Sequence, residues 1–205
     1  MFKRKIYEKM RKWKQESEGK TALLIEGARR IGKSTVVEAF AKNEYKSYIL
    51  IDFSRVSRET KELFEDISDL NYLFLQLQLQ YKVDLHERNS VIIFDEVQLC
   101  PMARQAIKAL VEDRRYDYIE TGSLISIKKN VKDILIPSEE RKLSMYPMDY
   151  EEFLWAIGDT ATFSLLKKCF DMNQGLGDSI NRKQLRQFRL YMLVGGMPQA
   201  VSAYI

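Results

Sequence analysis

Residues 27–34 read Gly-Ala-Arg-Arg-Ile-Gly-Lys-Ser, which is the spacing G-x-x-x-x-G-K-[ST] of a phosphate-binding loop. The preceding stretch, Ala22 to Ile25, is short and apolar, as in a buried strand that ends in a sharp turn. The following stretch, Ser34 to Lys42, is compatible with a helix. In such a loop, consecutive backbone N–H groups converge on phosphate at the positive end of the helix dipole. The sequence therefore predicts a nucleotide-binding protein.

The fixed positions of this loop have separate physical roles. Gly27 and Gly32 allow conformations and close approaches that a side chain would block. Lys33 is expected to reach the β- and γ-phosphates, while the Ser34 hydroxyl binds Mg²⁺. The predicted nucleotide-binding residues are Gly27, Ala28, Arg29, Arg30, Ile31, Gly32, Lys33, Ser34 and Thr35. One of the two loop arginines could contact phosphate or a neighbouring subunit, but at least one is expected to be exposed.

A second motif follows another buried strand. Val91 to Phe94 is a continuous apolar run that ends in Asp95 and Glu96. Asp95 fits the Walker B role of completing the Mg²⁺ site with Ser34. Glu96, one position later, is placed to polarise water, which favours hydrolysis over transfer to a small acceptor. The alternative is that the acidic pair only caps the next helix.

A third polar cluster ends the next strand. Tyr116 to Glu120 is predicted to be extended and is followed by Thr121, Gly122 and Ser123. Thr121 is the first candidate for a residue that senses the γ-phosphate, and Ser123 is the second. The alternative is a glycine turn bordered by hydroxyls. Glu120 is unusual, because a carboxylate in a central strand is costly to bury; either it faces the site or the strand register differs by one residue.

The composition restricts the class of protein. A chain of 205 residues, 45% of them apolar, can form one α/β domain and part of a second. No run of about 18 apolar residues occurs, so we predict no membrane-spanning segment. Cys100 and Cys169 lack metal-ligand spacing and His86 is isolated, so a zinc site is not expected. Two such thiols, without a secretory signal, favour a cytoplasmic protein.

The first twenty residues are basic, with eight Lys or Arg against three Glu. Phe2, Ile6, Met10 and Trp13 recur at helical spacing, which predicts an amphipathic helix with one face on the core. Its basic face is either solvated or in contact with nucleic acid or another acidic partner. The candidate partners are therefore ATP and ADP, with nucleic acid as a further candidate, and an oligomer remains an option.

Strands and helices alternate along residues 1–150, which predicts a parallel sheet with right-handed crossovers. The other predicted strands are Tyr48 to Phe53 and Arg141 to Tyr146, and the other predicted helices of this part are 58–66, 70–83 and 101–114. Residues 151–205 are predicted to form a helical segment, with helices at 151–157, 161–170 and 183–191. The final residues are apolar, so we expect the chain to be the amino-terminal part of a longer protein.

Five segments together resemble bacterial and archaeal AAA-type ATPases that carry a second domain of unknown function after the ATPase core. These segments are LLIEGARRIGKS, VIIFDEVQ, TGS, LSMYPMDYEEFL and LVGGMPQAV. The resemblance implies an α/β additional-strand P-loop NTPase with three α/β/α layers and a parallel five-stranded sheet of order 5-1-4-3-2. The sensor strand would lie between the loop strand and the Walker B strand. A helical segment would follow the core.

The resemblance also implies roles for particular residues. Nucleotide would be bound by Gly27, Gly32, Lys33, Ser34 and Thr35, with Asp95 and Glu96 handling metal and water and Thr121 as the sensor. Many relatives have a Gly-Arg pair before the fifth strand, where this chain has residues 138–141, Ser-Glu-Glu-Arg. Arg141 is therefore only a candidate for stabilising charge. The resemblance also implies a carboxyl-terminal domain that we expect to lie beyond these residues.

The leading functional hypothesis is an Mg²⁺-dependent ATPase whose turnover changes the conformation of the helical and carboxyl-terminal regions. Its catalytic residues would be Glu96, Lys33 and Thr121, with Ser34 and Asp95 as metal ligands. The alternative is a slowly hydrolysing ATP-dependent switch or regulatory module that acts near nucleic acid. A small-molecule kinase is less favoured, because Glu96 suits activation of water.

Overall fold

The computed structural model of the chain describes residues 1–123 and 139–205. Ser138, from the stretch that departs from the family pattern, lies outside the described residues. Two units are distinguished, a core unit, Ile6–Met145, and a helical unit that combines Met1–Lys5 with Tyr146–Ile205. The division along the chain falls a few residues before the boundary at residue 150 that we predict from the sequence.

The core unit contains a five-stranded sheet. Its strands are β1 (Ala22–Gly27), β2 (Ser47–Asp52), β3 (Ser90–Asp95), β4 (Asp117–Gly122) and β5 (Glu140–Met145). Every neighbouring pair is parallel, and the order is β2-β3-β4-β1-β5. Read from the other edge this is 5-1-4-3-2, so the predicted P-loop NTPase fold is confirmed. The order also places β4 between β1 and β3, as the resemblance implies.

Five described helices accompany the sheet. They are α1 (Lys5–Ser17), α2 (Lys33–Glu44), α3 (Arg58–Glu62), α4 (Leu70–Tyr81) and α5 (Pro101–Asp113). The ambiguous Leu-Gln stretch is helical, because Leu73, Phe74 and Leu77 form its buried face while Leu75 and Leu79 are exposed. Helix α3 ends at Glu62, earlier than the predicted residue 66.

Helix α1 buries Ile6, Met10 and Trp13, as its periodicity predicts. The Trp13 indole N–H donates to Thr21 Oγ1 at 3.1 Å, which satisfies its polar atom in the core. Phe2 is an exception: it precedes the first turn of α1 and packs in the helical unit. The prediction that Phe2 belongs to the helix was therefore wrong by one turn.

The helical unit contains four helices within its described residues. They are α6 (Tyr150–Ala156), α7 (Thr162–Asp171), α8 (Asp178–Val194) and α9 (Pro198–Tyr204). Met148, Phe153 and Val201 form its buried centre. Helix α8 begins five residues before the predicted start at residue 183. In the part of the chain that the structure describes, no helix is long and apolar enough to cross a membrane.

Residues 1–5 are held in the helical unit by a buried ion pair. Arg4 Nε lies 3.1 Å from Glu152 Oε2, and both side chains are almost fully buried. Glu152 also completes a capping box with Asp149 at the start of α6. One carboxylate therefore caps a helix and fixes the amino terminus of the chain.

Glu120 lies inside β4 and does not face the predicted nucleotide site. Its side chain is fully buried beside Glu140, and Arg104 of α5 donates to Glu140 Oε2 at 2.9 Å. Ala22 and Leu24, the residues of β1 that pair with Glu140 and Glu120, lie on one face of the sheet. Burial, followed by the negative charge of Glu140, raises the pKa of Glu120 well above its usual value, although Arg104 acts in the opposite direction. The alternative that Glu120 faces the site is therefore wrong, whereas β4 does begin one residue later than the predicted Tyr116, at Asp117.

We expect Glu120→Gln to stabilise the protein at neutral pH. Because folding raises the pKa of this carboxyl, the stability it contributes is complete below its unfolded pKa and is lost as the pH rises through the folded pKa. Each unit of that pKa rise corresponds to about 1.4 kcal/mol of unfolding free energy. In urea unfolding measured from pH 4 to pH 8, the variant should have a higher unfolding free energy at neutral pH than wild type. Its unfolding free energy should also depend less on pH.

Glu140→Gln is the matched control, since it leaves the Arg104 guanidinium buried without its carboxylate. It should lower the unfolding free energy by about 3–5 kcal/mol. Equal destabilisation by Glu120→Gln and Glu140→Gln would contradict the conclusion that folding raises the pKa of Glu120.

Candidate functional site

The predicted phosphate-binding loop connects β1 to α2. At Gly27, the last residue of β1, a Cβ atom would lie 2.3 Å from the backbone oxygen of Met145 in β5, so only glycine fits. Gly32, which caps the amino terminus of α2, has φ of 91°, in the left-handed region that favours glycine. Gly27 is thus required by close packing at the start of the loop, and Gly32 is required by backbone conformation at its end.

Between the glycines, the loop exposes three of its four residues to solvent and buries the fourth. Ala28, Arg29 and Arg30 are exposed, while Ile31 is fully buried. Arg30 has φ of 64°, so a left-handed residue occurs within the loop as well as at Gly32. Alternation of right- and left-handed residues produces a nest of N–H groups that binds anions. The geometry suits phosphate recognition by the backbone, with both arginine side chains in solvent.

Lys33 is the first residue of α2, and its side chain crosses the loop. Its ammonium donates to the carbonyl oxygens of Gly27 at 3.1 Å and Ala28 at 2.8 Å. Burial lowers the pKa of Lys33, while the negative charges of Glu96 and Asp95 act in the opposite direction. A buried ammonium with two nearby carboxylates is therefore held at the amino terminus of α2.

Asp95 is the point where three predicted residues meet. Ser34 Oγ donates to Asp95 Oδ1 at 2.8 Å, and the Thr121 hydroxyl donates to the same oxygen. Asp95 and Thr121 are buried at the ends of the neighbouring strands β3 and β4. The structure thus brings together a loop residue, a Walker B candidate and a sensor candidate from sequence positions far apart.

Glu96 follows Asp95 in a left-handed conformation, with φ of 54°. Its backbone N–H donates to Thr121 Oγ1 at 3.4 Å, and Gln98 Nε2 donates to its carboxylate. Glu96 precedes the short 3-10 helix Val97–Leu99 but makes no side-chain capping hydrogen bond there. A capping role therefore does not explain its carboxylate.

Gln98 is a member of this region that sequence reasoning missed. Its side chain is buried although it lies in an otherwise apolar stretch, Val97–Leu99, directly after the acidic pair. A polar residue in a buried turn beside Asp95 and Glu96 was the signal that could have indicated it.

The donor atoms fit a magnesium ion that is shared with phosphate. Within residues 1–123 and 139–205, no cluster of three or more His, Cys, Asp or Glu could hold a metal by itself. Ser34 Oγ and Asp95 Oδ1 provide two hard oxygen donors that already lie side by side. Mg²⁺ is typically bound in this way, by one or two protein oxygens together with phosphate and water.

The remaining predicted residues occupy different positions in the fold. Thr35 is exposed on α2, and Ser123 is buried one residue after β4. Arg141 pairs with Leu23, near the amino end of β1, and forms an ion pair with Glu16 at 2.6 Å. That position is about 13 Å along the strands from Gly27. Arg141 is therefore not placed to stabilise charge at the phosphate loop.

Comparison with known proteins identifies the family. Residues 19–154, more than half of the chain, match a family described as AAA domain. The chain belongs to this AAA domain family. The AAA domain match covers the loop, Asp95, Glu96 and Thr121, and together with the sheet order it supports ATP binding by a P-loop protein of the ATPase type.

The AAA domain is also similar to solved structures with little sequence identity. The ORC1 protein of Aeropyrum pernix, solved in complex with DNA, is 11% identical with a TM-score of 0.47, over 79% of this chain and 49% of that one. PCH-2 of C. elegans is 12% identical with a TM-score of 0.49, over 97% of this chain and 59% of that one. The chain thus spans less than two thirds of either protein. A search of curated proteins finds no match.

We expect Gly27→Ala to disrupt the loop. The added Cβ would meet the Met145 backbone, which cannot rotate away, so the loop and β5 must move apart. Thermal unfolding should show a loss of about 1–3 kcal/mol, as for overpacked sites, and ATP binding should weaken. Gly175→Ala is the control, because a Cβ there meets nothing within 4 Å; similar losses for the two variants would refute the close-approach argument.

Proposed function

We propose that this AAA domain binds ATP with Mg²⁺ and hydrolyses it. The observation that carries the proposal is the convergence of the Ser34 and Thr121 hydroxyls on one oxygen of Asp95. The two hydroxyls come from the loop helix and the neighbouring strand, so a shared polar centre joins the phosphate loop to β3 and β4. This centre lies at the carboxyl ends of parallel strands, where ligands bind in open α/β sheets.

Phosphate binding is assigned to the loop. Its N–H groups would cradle the phosphates, and the Lys33 ammonium would exchange the carbonyls of Gly27 and Ala28 for phosphate oxygens. Ser34 and Asp95 would hold Mg²⁺. Bound Mg²⁺ supplies neutralisation of the charge on the phosphate oxygens.

Hydrolysis is assigned to Glu96. Its carboxylate would accept a hydrogen bond from the attacking water and take its proton as general base. Thr121 links this residue to the metal site, since its hydroxyl donates to Asp95 and accepts from the Glu96 backbone. We infer that Thr121 positions Glu96 relative to the metal, in addition to the sensor role that we predict from the sequence.

Glu96, whose backbone has the left-handed conformation, is also the residue that we expect to change conformation during turnover. It joins the end of β3 to the 3-10 helix, and such backbone strain is common in switch regions. We propose that turnover alters this junction and, through it, the conformation of the helical and carboxyl-terminal regions.

A slowly hydrolysing switch is the second candidate. Its support is the hydrogen bond from Gln98 to the Glu96 carboxylate, which occupies one oxygen of the proposed base. In this case, bound ATP would itself be the signal, and nucleic acid is a candidate partner through the basic face of α1. Both cysteines are free, which agrees with a reducing compartment, so we propose a cytoplasmic location.

Two variants separate binding from catalysis. Lys33→Ala should weaken ATP binding by about 100-fold or more, because it removes a charged donor from a buried site. Glu96→Gln should bind ATP normally and hydrolyse it about 10²–10⁴-fold more slowly, the usual loss on removing a general base. Equilibrium binding and phosphate release, measured with and without DNA, give both quantities.

Lys42→Ala, an exposed change at the other end of α2, serves as the control and should match wild type. Normal hydrolysis by Glu96→Gln would overturn the catalytic assignment. Slow wild-type turnover together with a large ATP-induced conformational change would favour the switch over the ATPase.

A further inference from the structure

The first five residues of the chain belong to the helical unit and are referred to as the amino-terminal strap. Lys3 Nζ lies 4.4 Å from the centroid of the Trp155 ring, a cation–π contact. Arg4 forms the buried ion pair with Glu152 and also donates from Nη2 to the backbone oxygen of Tyr146 at 2.7 Å. The strap is therefore packed into the helical unit, although the core unit separates it in sequence from the rest of that unit.

Glu152 also binds the first turn of α1. Its Oε1 accepts from the backbone N–H of Lys5, the first residue of α1, at 2.6 Å. The first N–H groups of a helix lack partners within the helix, and a carboxylate there also interacts favourably with the helix dipole. The Lys5 ammonium lies 2.6 Å from a carboxylate oxygen of Asp149 and 2.6 Å from one of Glu151. Residues at the start of α6 therefore fix the beginning of α1 through both its backbone and its side chain.

Helix α1 continues from the strap into the core unit. The division between the units falls between Lys5 and Ile6, within the first turn of the helix. The buried side chains of Ile6, Met10 and Trp13 belong to the core unit. Because hydrogen bonds join each turn of an α-helix to the next, a displacement of its first turn is passed along the helix. The strap is thus connected to the core by a regular helix.

In the core unit, α1 contacts the end of α2, the helix that follows the phosphate loop. The Tyr7 ring packs edge-on against Phe40, with the ring centroids 5.3 Å apart. The Tyr7 hydroxyl donates to Glu44 Oε1 at 2.9 Å and accepts from Asn43 Nδ2 at 3.3 Å. The Lys14 ammonium donates to the backbone oxygen of Glu44, the last residue of α2. Two side chains of α1 therefore hold the last turn of α2.

The other end of α2 lies at the proposed nucleotide site. Its first two residues are Lys33 and Ser34, to which we assign phosphate and Mg²⁺ binding. A continuous series of contacts therefore leads from the phosphate loop along α2, across Tyr7 to α1, and through the strap to Glu152 of α6. Packed elements of this kind can carry energetic coupling between distant sites.

We propose that α1 and the amino-terminal strap form a relay that couples the phosphate loop to the helical unit. This relay rests on the proposed function, because ATP is the ligand that would shift the start of α2. Arg4 and Tyr7 are positioning residues in the relay, since they act through the elements that they contact. Coupling between two sites is reciprocal, so the strap influences α2 as much as α2 influences the strap.

Hydrogen exchange in the nucleotide-free full chain tests the relay, because each variant is read at a site remote from the change. Arg4→Gln removes the charge that pairs with Glu152, and exchange at residues 40–44 should become about fivefold faster or more. Tyr7→Phe keeps the ring and removes only the hydroxyl, and exchange in α6 should become about twofold faster or more. The Tyr7 variant decides the outcome if Arg4→Gln fails to fold.

Two controls separate coupling from a general loss of stability. Lys9→Ala, an exposed change on α1, should exchange like wild type throughout. Helix α4, which is outside the relay, should exchange at the wild-type rate in every variant. Wild-type exchange at both remote sites would overturn the proposal, and so would equal acceleration of α4, which indicates general destabilisation.

The same measurement with Mg²⁺ and ATP tests the direction from the loop to the helical unit. In wild type, ATP should slow exchange both at the phosphate loop and in α6. In Tyr7→Phe, it should slow exchange at the loop and have little effect on α6. Equal protection of α6 in the two proteins would contradict the relay. A lack of ATP binding in calorimetry would refute the proposed function alone, because the nucleotide-free exchange rates still decide whether α1 and the strap couple α2 to α6.

Discussion

The Asp95 carboxylate is the group on which the arrangement of the site depends. It accepts hydrogen bonds from Ser34 and Thr121, which belong to α2 and β4. The Thr121 contact requires β3 and β4 to be neighbours in the sheet. The Ser34 contact requires β1, which leads into α2, to lie next to β4, and this is the observed strand order. Because the strands are parallel, their carboxyl ends meet at one edge, and the apolar runs that form the core also bring these polar ends together.

Much of this site could be predicted from the sequence, because its motifs are local. The loop spacing, the acidic pair after Val91–Phe94 and the hydroxyl at Thr121 each follow a recognisable strand. Gln98 was missed although it is the polar residue of the stretch Val97–Leu99, because its contact with Glu96 depends on how the turn folds. Arg141 was proposed from its place in the family pattern, but the strand register locates it near the other end of β5.

Non-local contacts explain the remaining errors. Glu120 is buried near the charges of Arg104 in α5 and Glu140 in β5, and no periodicity within β4 indicates this placement across the sheet. Phe2 continues the spacing of α1, yet the neighbouring Arg4 is held by Glu152, well over a hundred residues away. Helical spacing reports which face is apolar, whereas buried charges are placed by partners that only the folded chain reveals.

The most direct measurement of the central claim is a calorimetric titration of ATP into folded protein, with Mg²⁺ and then with a chelator. If Ser34 and Asp95 share a metal with the phosphates, binding should be tight with Mg²⁺ and clearly weaker without it, and Asp95→Asn should remove that difference. The absence of heat and of any thermal shift with Mg²⁺ and ATP on intact wild type would contradict the account.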